Sequence, residues 1–140
     1  MNFDKYILIT GGAGFIGSHL VRKFVNSYKN YFIINIDNLT YASNYEFIID
    51  LESNSNYKFI KGDIRNREII NKIFTDFKID SIIHLAAESH VDNSIENPLL
   101  FVETNILGTI NLLEEARLNW DKAASNYLFY GISTDEVYGS

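Results

Sequence analysis

The sequence predicts a doubly wound α/β fold, a parallel sheet with helices on both faces, and three observations carry that expectation. Short apolar runs that are continuous rather than alternating recur along the chain, as at residues 6–9 and 31–36, which is the pattern of strands buried on both faces. Segments with the helical spacing of apolar residues lie between them. The first junction from strand to helix is a glycine-rich turn, Gly11-Gly12-Ala13-Gly14-Phe15-Ile16-Gly17. Size and composition agree, since 140 residues fit one domain and 46% hydrophobic against 21% charged residues describes a packed globule rather than a disordered segment.

The elements follow in order. Residues 6–9 form the first strand, and from Gly14 the period changes to that of a helix, with Ile16, Leu20 and Phe24 on one stripe and Val21, Val25 and Tyr28 flanking it. Residues 31–36 read as the second strand, 45–51 as a short helix and 57–60 as the third strand. A helix over 66–77 leads to the fourth strand at 81–85. Pro98 suits the first turn of a long helix whose apolar stripe runs Leu99, Val102, Ile106, Ile110, Leu113, and residues 127–133 are the fifth strand. Right-handed crossovers between five such strands give the order 3-2-1-4-5.

With 18 acidic and 12 basic side chains the formal charge is -6, so the field repels phosphate backbones and nucleic acid is not an expected partner. The apolar runs are far shorter than a bilayer span and residues 1–5 lack signal-peptide character, which implies a soluble intracellular chain without a membrane partner. There is no cysteine, hence no disulfide and no thiolate chemistry. His84 and His90 lack the spacing of a helical metal pair, so no metal is assigned. His84 reads as a strand-end histidine with a backbone partner, and His19 as a helix-surface residue.

The glycine turn sits between a predicted strand and a predicted helix, the context in which backbone must approach a pyrophosphate at a helix N-terminus and a Cβ would be in the way. Asp37 closes the next strand, 20 residues after Gly17, at the spacing where a carboxylate meets the adenosine ribose. Such a carboxylate accepts hydrogen bonds from ribose hydroxyls and repels a 2'-phosphate, which favours NAD over NADP. Asp63 follows the third strand, where it suits an adenine amino group or a helix cap equally well. Ala86 and Ala87 follow the fourth strand and leave room for a flat cofactor, or simply pack closely. Tyr57 and Lys61 match a Tyr-x-x-x-Lys pattern, but they flank a strand, where four steps separate them by roughly 13 Å, so the match is a coincidence. Thr134, Asp135 and Glu136 follow the fifth strand at the ligand edge of such a sheet, and their local sequence reads either as an acid/base pair or, more simply, as a solvated helix start.

Together, the glycine motif, Asp37-Asn38-Leu39-Thr40-Tyr41-Ala42, Gly62-Asp63-Ile64, Ala86-Ala87-Glu88-Ser89-His90-Val91-Asp92 and Ser133-Thr134-Asp135-Glu136-Val137-Tyr138-Gly139 resemble the dTDP-glucose 4,6-dehydratases. These are NAD-dependent members of the extended short-chain dehydrogenase/reductase group, built on a Rossmann sheet. The resemblance spans almost the whole chain, and the Thr-Asp-Glu-Val-Tyr-Gly run is its most specific part. It implies that Gly11, Gly14, Phe15, Ile16 and Gly17 lie at the pyrophosphate and that Asp37, Asn38, Leu39 and Thr40 hold the ribose. Asp63 and Ile64 would contact adenine, and Leu85, Ala86, Ala87 and Thr104 would line the nicotinamide side. Ser89 would face a nucleotide-sugar substrate, Thr134 would hydrogen-bond the sugar hydroxyl being oxidised, Asp135 would be the general acid and Glu136 the general base.

Family members are roughly twice as long or more. The resemblance therefore implies that residues 1–140 are the N-terminal part of the NAD-binding domain. A substrate domain and the family's Tyr-x-x-x-Lys helix would be absent, and the chain alone would be inactive. The longer parent would be a homodimer built on helices including the one that starts near Pro98. The alternatives are a UDP-glucose 4,6-dehydratase, an epimerase or decarboxylase of the same group, or a module that binds NAD without turnover.

Overall fold

Five parallel strands form the sheet: β1 (Lys5–Thr10), β2 (Tyr31–Asp37), β3 (Tyr57–Lys61), β4 (Ser81–His84) and β5 (Leu128–Gly131), in the order β3-β2-β1-β4-β5. This is the predicted doubly wound order. The computed structural model describes residues 2–121, 124 and 126–139, and for Asp135 and Glu136 the backbone alone. The helices are α1 (Phe15–Ser27), α2 (Arg67–Asp76), α3 (Val91–Glu96), α4 (Pro98–Val102) and α5 (Thr109–Asn119), with a π-helical turn, Glu103–Gly108, joining the last two.

The unbroken apolar runs exist because each strand feeds two cores at once. Ile7, Ile9 and Ile33 point to the side of α1 and pack with Val21, Val25, Ile48 and Leu51. Leu8, Ile34, Ile36 and Ile82 point to the other side, against Ile70, Ile73 and Phe74 of α2 and Leu112 and Ala116 of α5. Alternating side chains on a strand leave no polar face to spare between these layers. Asn66 starts α2 by accepting the N–H groups of Glu68 and Ile69 at 3.0 and 3.3 Å, a side-chain N-cap.

Several expectations change. The buried face of α1 is Gly17, Ser18, Val21 and Val25, so the flanking positions Val21 and Val25 lie deepest, Leu20 and Phe24 of the expected stripe are half-buried against the same core, and Ile16 is exposed. The reason is close backbone approach, because a Cβ on Gly17 would run into the carbonyl oxygen of Gly11, so the smallest residues rather than the largest meet the sheet. The stripe Leu99, Val102, Ile106, Ile110, Leu113 is likewise not core, being between 45% and 63% exposed. The inward face of the π turn and α5 carries Gly108, Asn111, Leu112, Glu115 and Ala116. There Asn111 donates to the carbonyl oxygens of Ile64 and Arg65, both at 3.0 Å, so buried polar anchors choose the face.

Residues 45–51 become two 3-10 turns, Tyr45–Phe47 and Ile49–Ser53, and α3 is an element the periodicity did not reveal. The fourth strand stops at His84, one residue before its expected end. The fifth is shorter than expected at both ends, and the chain then turns into a 3-10 helix, Asp135–Tyr138. Tyr57 and Lys61 do flank a strand. The Tyr57 hydroxyl is buried against the amide of Asn35 at 3.0 Å, and burial pushes its pKa up to about 12.

Candidate nucleotide-binding site

At the carboxyl edge of the sheet the loops after β1, β2, β3 and β4 enclose a cleft of about 530 Å³, within the range of small-molecule pockets. Its floor is the glycine turn. Gly11 has φ +73°, a left-handed conformation, and a Cβ there would also lie 2.7 Å from the backbone nitrogen of Ala86, so both the turn and the β1–β4 contact require glycine. Gly14 precedes α1, whose N-terminus carries no side-chain cap and no acidic residue in its first turn among the described residues. Its N–H groups and the positive end of a 13-residue helix dipole therefore face the cleft unneutralised, which is a setting for an anion. Phe15 and Ile16, 73% and 66% exposed, form the adjoining apolar wall.

Asp37 is only 8% exposed, and its carboxylate braces two loops. Oδ2 accepts the Ala13 N–H of the glycine turn at 2.9 Å, and Oδ1 accepts the Leu39 N–H at 2.8 Å. The second bond holds Leu39 at φ +56°, rare for a side chain with a Cβ. Each oxygen keeps a lone pair for a hydroxyl donor. Asn38 and Thr40 line the cleft with Asp37, whereas Leu39 turns inward and packs on the α1-side core.

Across the cleft Asp63 is not a helix cap, that role belonging to Asn66. Its Oδ1 accepts the Arg65 N–H at 2.8 Å, while Oδ2 receives Arg65 Nε, Arg65 Nη2 and Asn38 Nδ2 at 2.9, 2.7 and 3.0 Å. Burial opposes ionisation of Asp63, but the Arg65 hydrogen bonds outweigh it and hold the carboxyl below its ordinary pKa. Arg65 also donates to Glu103 at 3.0 Å, tying the β3 exit to the π turn. Ile64 is buried beside this cluster at the cleft wall.

Leu85, Ala86, Ala87 and Ser89 line the cleft beside β4, and Thr104 reaches it from the π turn. Tyr41 donates its hydroxyl to Glu88 at 3.2 Å, joining the two lips. Thr134 is exposed and lies outside the cleft lining, which Ile132 reaches. The backbone of Asp135 and Glu136 lies in the 3-10 turn that follows β5, and their side chains lie outside the described structure.

The roles of Arg65, Glu103 and Tyr41 at this site were not legible in the sequence, because their partners are 47 residues away for Tyr41 and Glu88 and 38 for Arg65 and Glu103. His84 differs from expectation too: its ring partners are the hydroxyls of Thr10 and Thr109, not backbone.

Comparison with known proteins places this geometry. Residues 8–140 match the family model of GDP-mannose 4,6 dehydratase. A dTDP-glucose 4,6-dehydratase of Escherichia coli is 51% identical over 137 residues, which are 95% of this chain and 38% of the relative, so the chain spans well under half of that protein's length. The crystal structure of dTDP-glucose 4,6-dehydratase from Bacillus anthracis in complex with NAD superimposes with a TM-score of 0.81 at 39% identity, covering 97% of this chain and 39% of that one. The UDP-Glc/GlcNAc 4-epimerase of Campylobacter jejuni gives 0.82 at 33% identity, covering 96% and 39%, so the fold alone does not separate dehydratase from epimerase. By the match across nearly its whole length, the chain belongs to the GDP-mannose 4,6 dehydratase family.

Proposed function

We propose that this chain is the NAD-binding part of a dTDP-glucose 4,6-dehydratase, a cytoplasmic lyase whose product is the 4-keto-6-deoxy sugar. The observation that carries the reading is the glycine turn at the uncapped N-terminus of α1, whose shape requires glycine because a Cβ at Gly11 would meet the Ala86 backbone and one at Gly17 the Gly11 carbonyl oxygen, and which leaves the first N–H groups of α1 open to an anion at the cleft. Asp37 supports NAD over NADP, since a buried carboxylate already fixed by two N–H donors cannot turn away from a 2'-phosphate. The Asp63–Arg65 pair forms the adenine end with Ile64, and Leu85, Ala86, Ala87 and Thr104 form the nicotinamide end. NAD, when bound, supplies a hydride acceptor that returns what it takes. Thr134 would hydrogen-bond the C4 hydroxyl, whose proton would pass to the tyrosine of the family's Tyr-x-x-x-Lys helix in the longer protein. Glu136 would remove the C5 proton and give it back after the hydride reaches C6, and Asp135 would protonate the departing C6 hydroxyl as water, for a net loss of water. Ser89 contacts the sugar nucleotide.

The longer protein is a homodimer in this reading, and the exposed stripe of Leu99, Val102, Ile106, Ile110 and Leu113 is the face that supports it. A sugar-nucleotide epimerase is the second reading, favoured by the equal structural likeness to the Campylobacter jejuni epimerase.

Calorimetric titration of residues 1–140 tests the cofactor. NAD is expected to bind more tightly than NADP, and Asp37→Ala to weaken NAD and narrow the difference. Tighter binding of NADP by the unaltered chain rejects the role of Asp37. In the longer protein, Glu136→Gln is expected to retain C4 oxidation and lose solvent exchange at C5, and normal exchange rejects Glu136 as the base.

A further inference from the structure

His84 is a buried ionisable ring to which the proposed chemistry gives no task. It lies at the end of β4 with Nδ1 2.7 Å from Thr10 Oγ1 and Nε2 2.9 Å from Thr109 Oγ1. The hydrogen positions follow from the network. Thr109 Oγ1 is 2.7 Å from the carbonyl oxygen of Asn105, which can only accept, so the threonine spends its hydrogen there. It must then accept from His84, and Nε2 carries the hydrogen. Nδ1 of the neutral ring is an acceptor, and Thr10 Oγ1 donates to it while receiving the Ala86 N–H at 3.1 Å. Every donor in this run points the same way, from Ala86 N–H through Thr10, His84 and Thr109 to the Asn105 carbonyl.

The run also closes on itself. The side-chain amide of Asn105 accepts the Glu88 N–H at 2.8 Å and donates to the Glu88 carbonyl at 2.9 Å. Both ends of the network therefore grip one segment, the Ala86 to Glu88 backbone that lines the cleft. Asn105 lies in the π-helical turn Glu103–Gly108, a departure from regular helix that often marks functional positions.

We propose that His84, held as the neutral Nε2–H tautomer, is a positioning residue that fixes the Ala86 to Glu88 backbone and so pre-sets the cleft wall where a nucleotide binds. The role at a nucleotide rests on the function proposed above, whereas the tautomer and the grip on the backbone do not. A proton on Nδ1 would confront Thr10 Oγ1, which already receives the Ala86 N–H, and would leave the threonine hydrogen without its acceptor. Burial pushes the ring pKa down to about 4, which agrees with a neutral ring.

Three measurements on the 15N-labelled chain test this. The long-range imidazole spectrum of His84 at neutral pH is expected to show a protonated Nε2 and an unprotonated Nδ1. In His84→Phe, which keeps a ring and removes both bonds, amide exchange at Ala86 and Glu88 is expected to rise by roughly tenfold or more while β1 and β2 amides keep their rates. NAD affinity of the same variant is expected to fall. A protonated Nδ1, a uniform rise in exchange across the sheet, or unchanged NAD affinity with selective exchange overturns the proposal, the second because it marks a purely structural role. Should His84→Phe fail to fold, Thr109→Val, of like shape and without the acceptor, carries the same outcomes. If the unaltered chain shows the tautomer and binds no NAD while His84→Phe shows the selective exchange, the cofactor reading is rejected and the grip on the backbone stands.

Discussion

At Gly17 a Cβ would be driven into the carbonyl oxygen of Gly11, and the backbone that would have to move is the turn itself. Gly17→Ala is therefore expected to weaken NAD by at least about tenfold, equivalent to about 1.4 kcal/mol, in a chain that still folds, as calorimetry with circular dichroism checks. His84 makes a second prediction at this scale. Its folded pKa, about 4, lies below the ordinary 6.5, so between these values the unfolded chain takes up a proton that the folded chain refuses. Stability is complete above pH 6.5 and falls as the pH drops toward 4, with a slope of at most about 1.4 kcal/mol per pH unit from this group. Urea unfolding of the chain and of His84→Phe between pH 7 and 4.5 measures it, and parallel pH dependences would mean that His84 does not resist protonation.

For the long helix, polarity and burial run opposite to habit. Asn111 is buried and donates to two carbonyl oxygens, whereas Ile110 beside it is nearly half exposed. Asn111→Leu is expected to cost about 1–3 kcal/mol by leaving acceptors unpaired, while Ile110→Gln should change the stability of this chain by no more than about 0.5 kcal/mol. Urea denaturation of the pair decides, and a larger loss at Ile110 would place the stripe in the core. The cap of α2 belongs to the same scale: Asn66→Ala removes the acceptor of two N–H groups and is expected to cost about 1 kcal/mol.

Over the whole molecule, the apolar stripe from Leu99 to Leu113 and the outer edge of β5, where Leu128 and Tyr130 are more than half exposed, are the surfaces that the proposed longer protein would cover. Lysines at Ile106 and Ile110 are expected to shift that longer protein from dimer to monomer in sedimentation velocity, and a variant that stays dimeric puts the interface elsewhere. Residues 1–140 alone are expected to show no turnover of dTDP-glucose. Formation of a 4-keto-6-deoxy product by the purified chain would show that the acid/base cluster acts without further residues.

Strand identity and the glycine turn were legible in the sequence because each is local: a run buried on both faces must be continuously apolar, and a turn whose backbone packs this closely must lack Cβ atoms; sheet order followed from the handedness of the crossovers. The spacing from Gly17 to Asp37 placed a carboxylate at the right edge for the same reason, since strand length sets where β2 ends. The packing face of α1 was legible only in part, through Val21 and Val25, because the close approach of Gly17 to the turn backbone draws the buried face past the apolar stripe, and that of α5 was not, because the hydrogen bonds of Asn111 to carbonyl oxygens 46 and 47 residues away outrank apolar periodicity. The same holds for the site. Asp63 is readable as a carboxylate after β3, and its partner Arg65 is only two residues away, but the tie from Arg65 to Glu103, 38 residues on, is made by the fold. His84 is readable only as a histidine at a strand end, and it is tertiary structure that sets it between Thr10, 74 residues away, and Thr109, 25 residues away, and so decides which nitrogen carries the hydrogen.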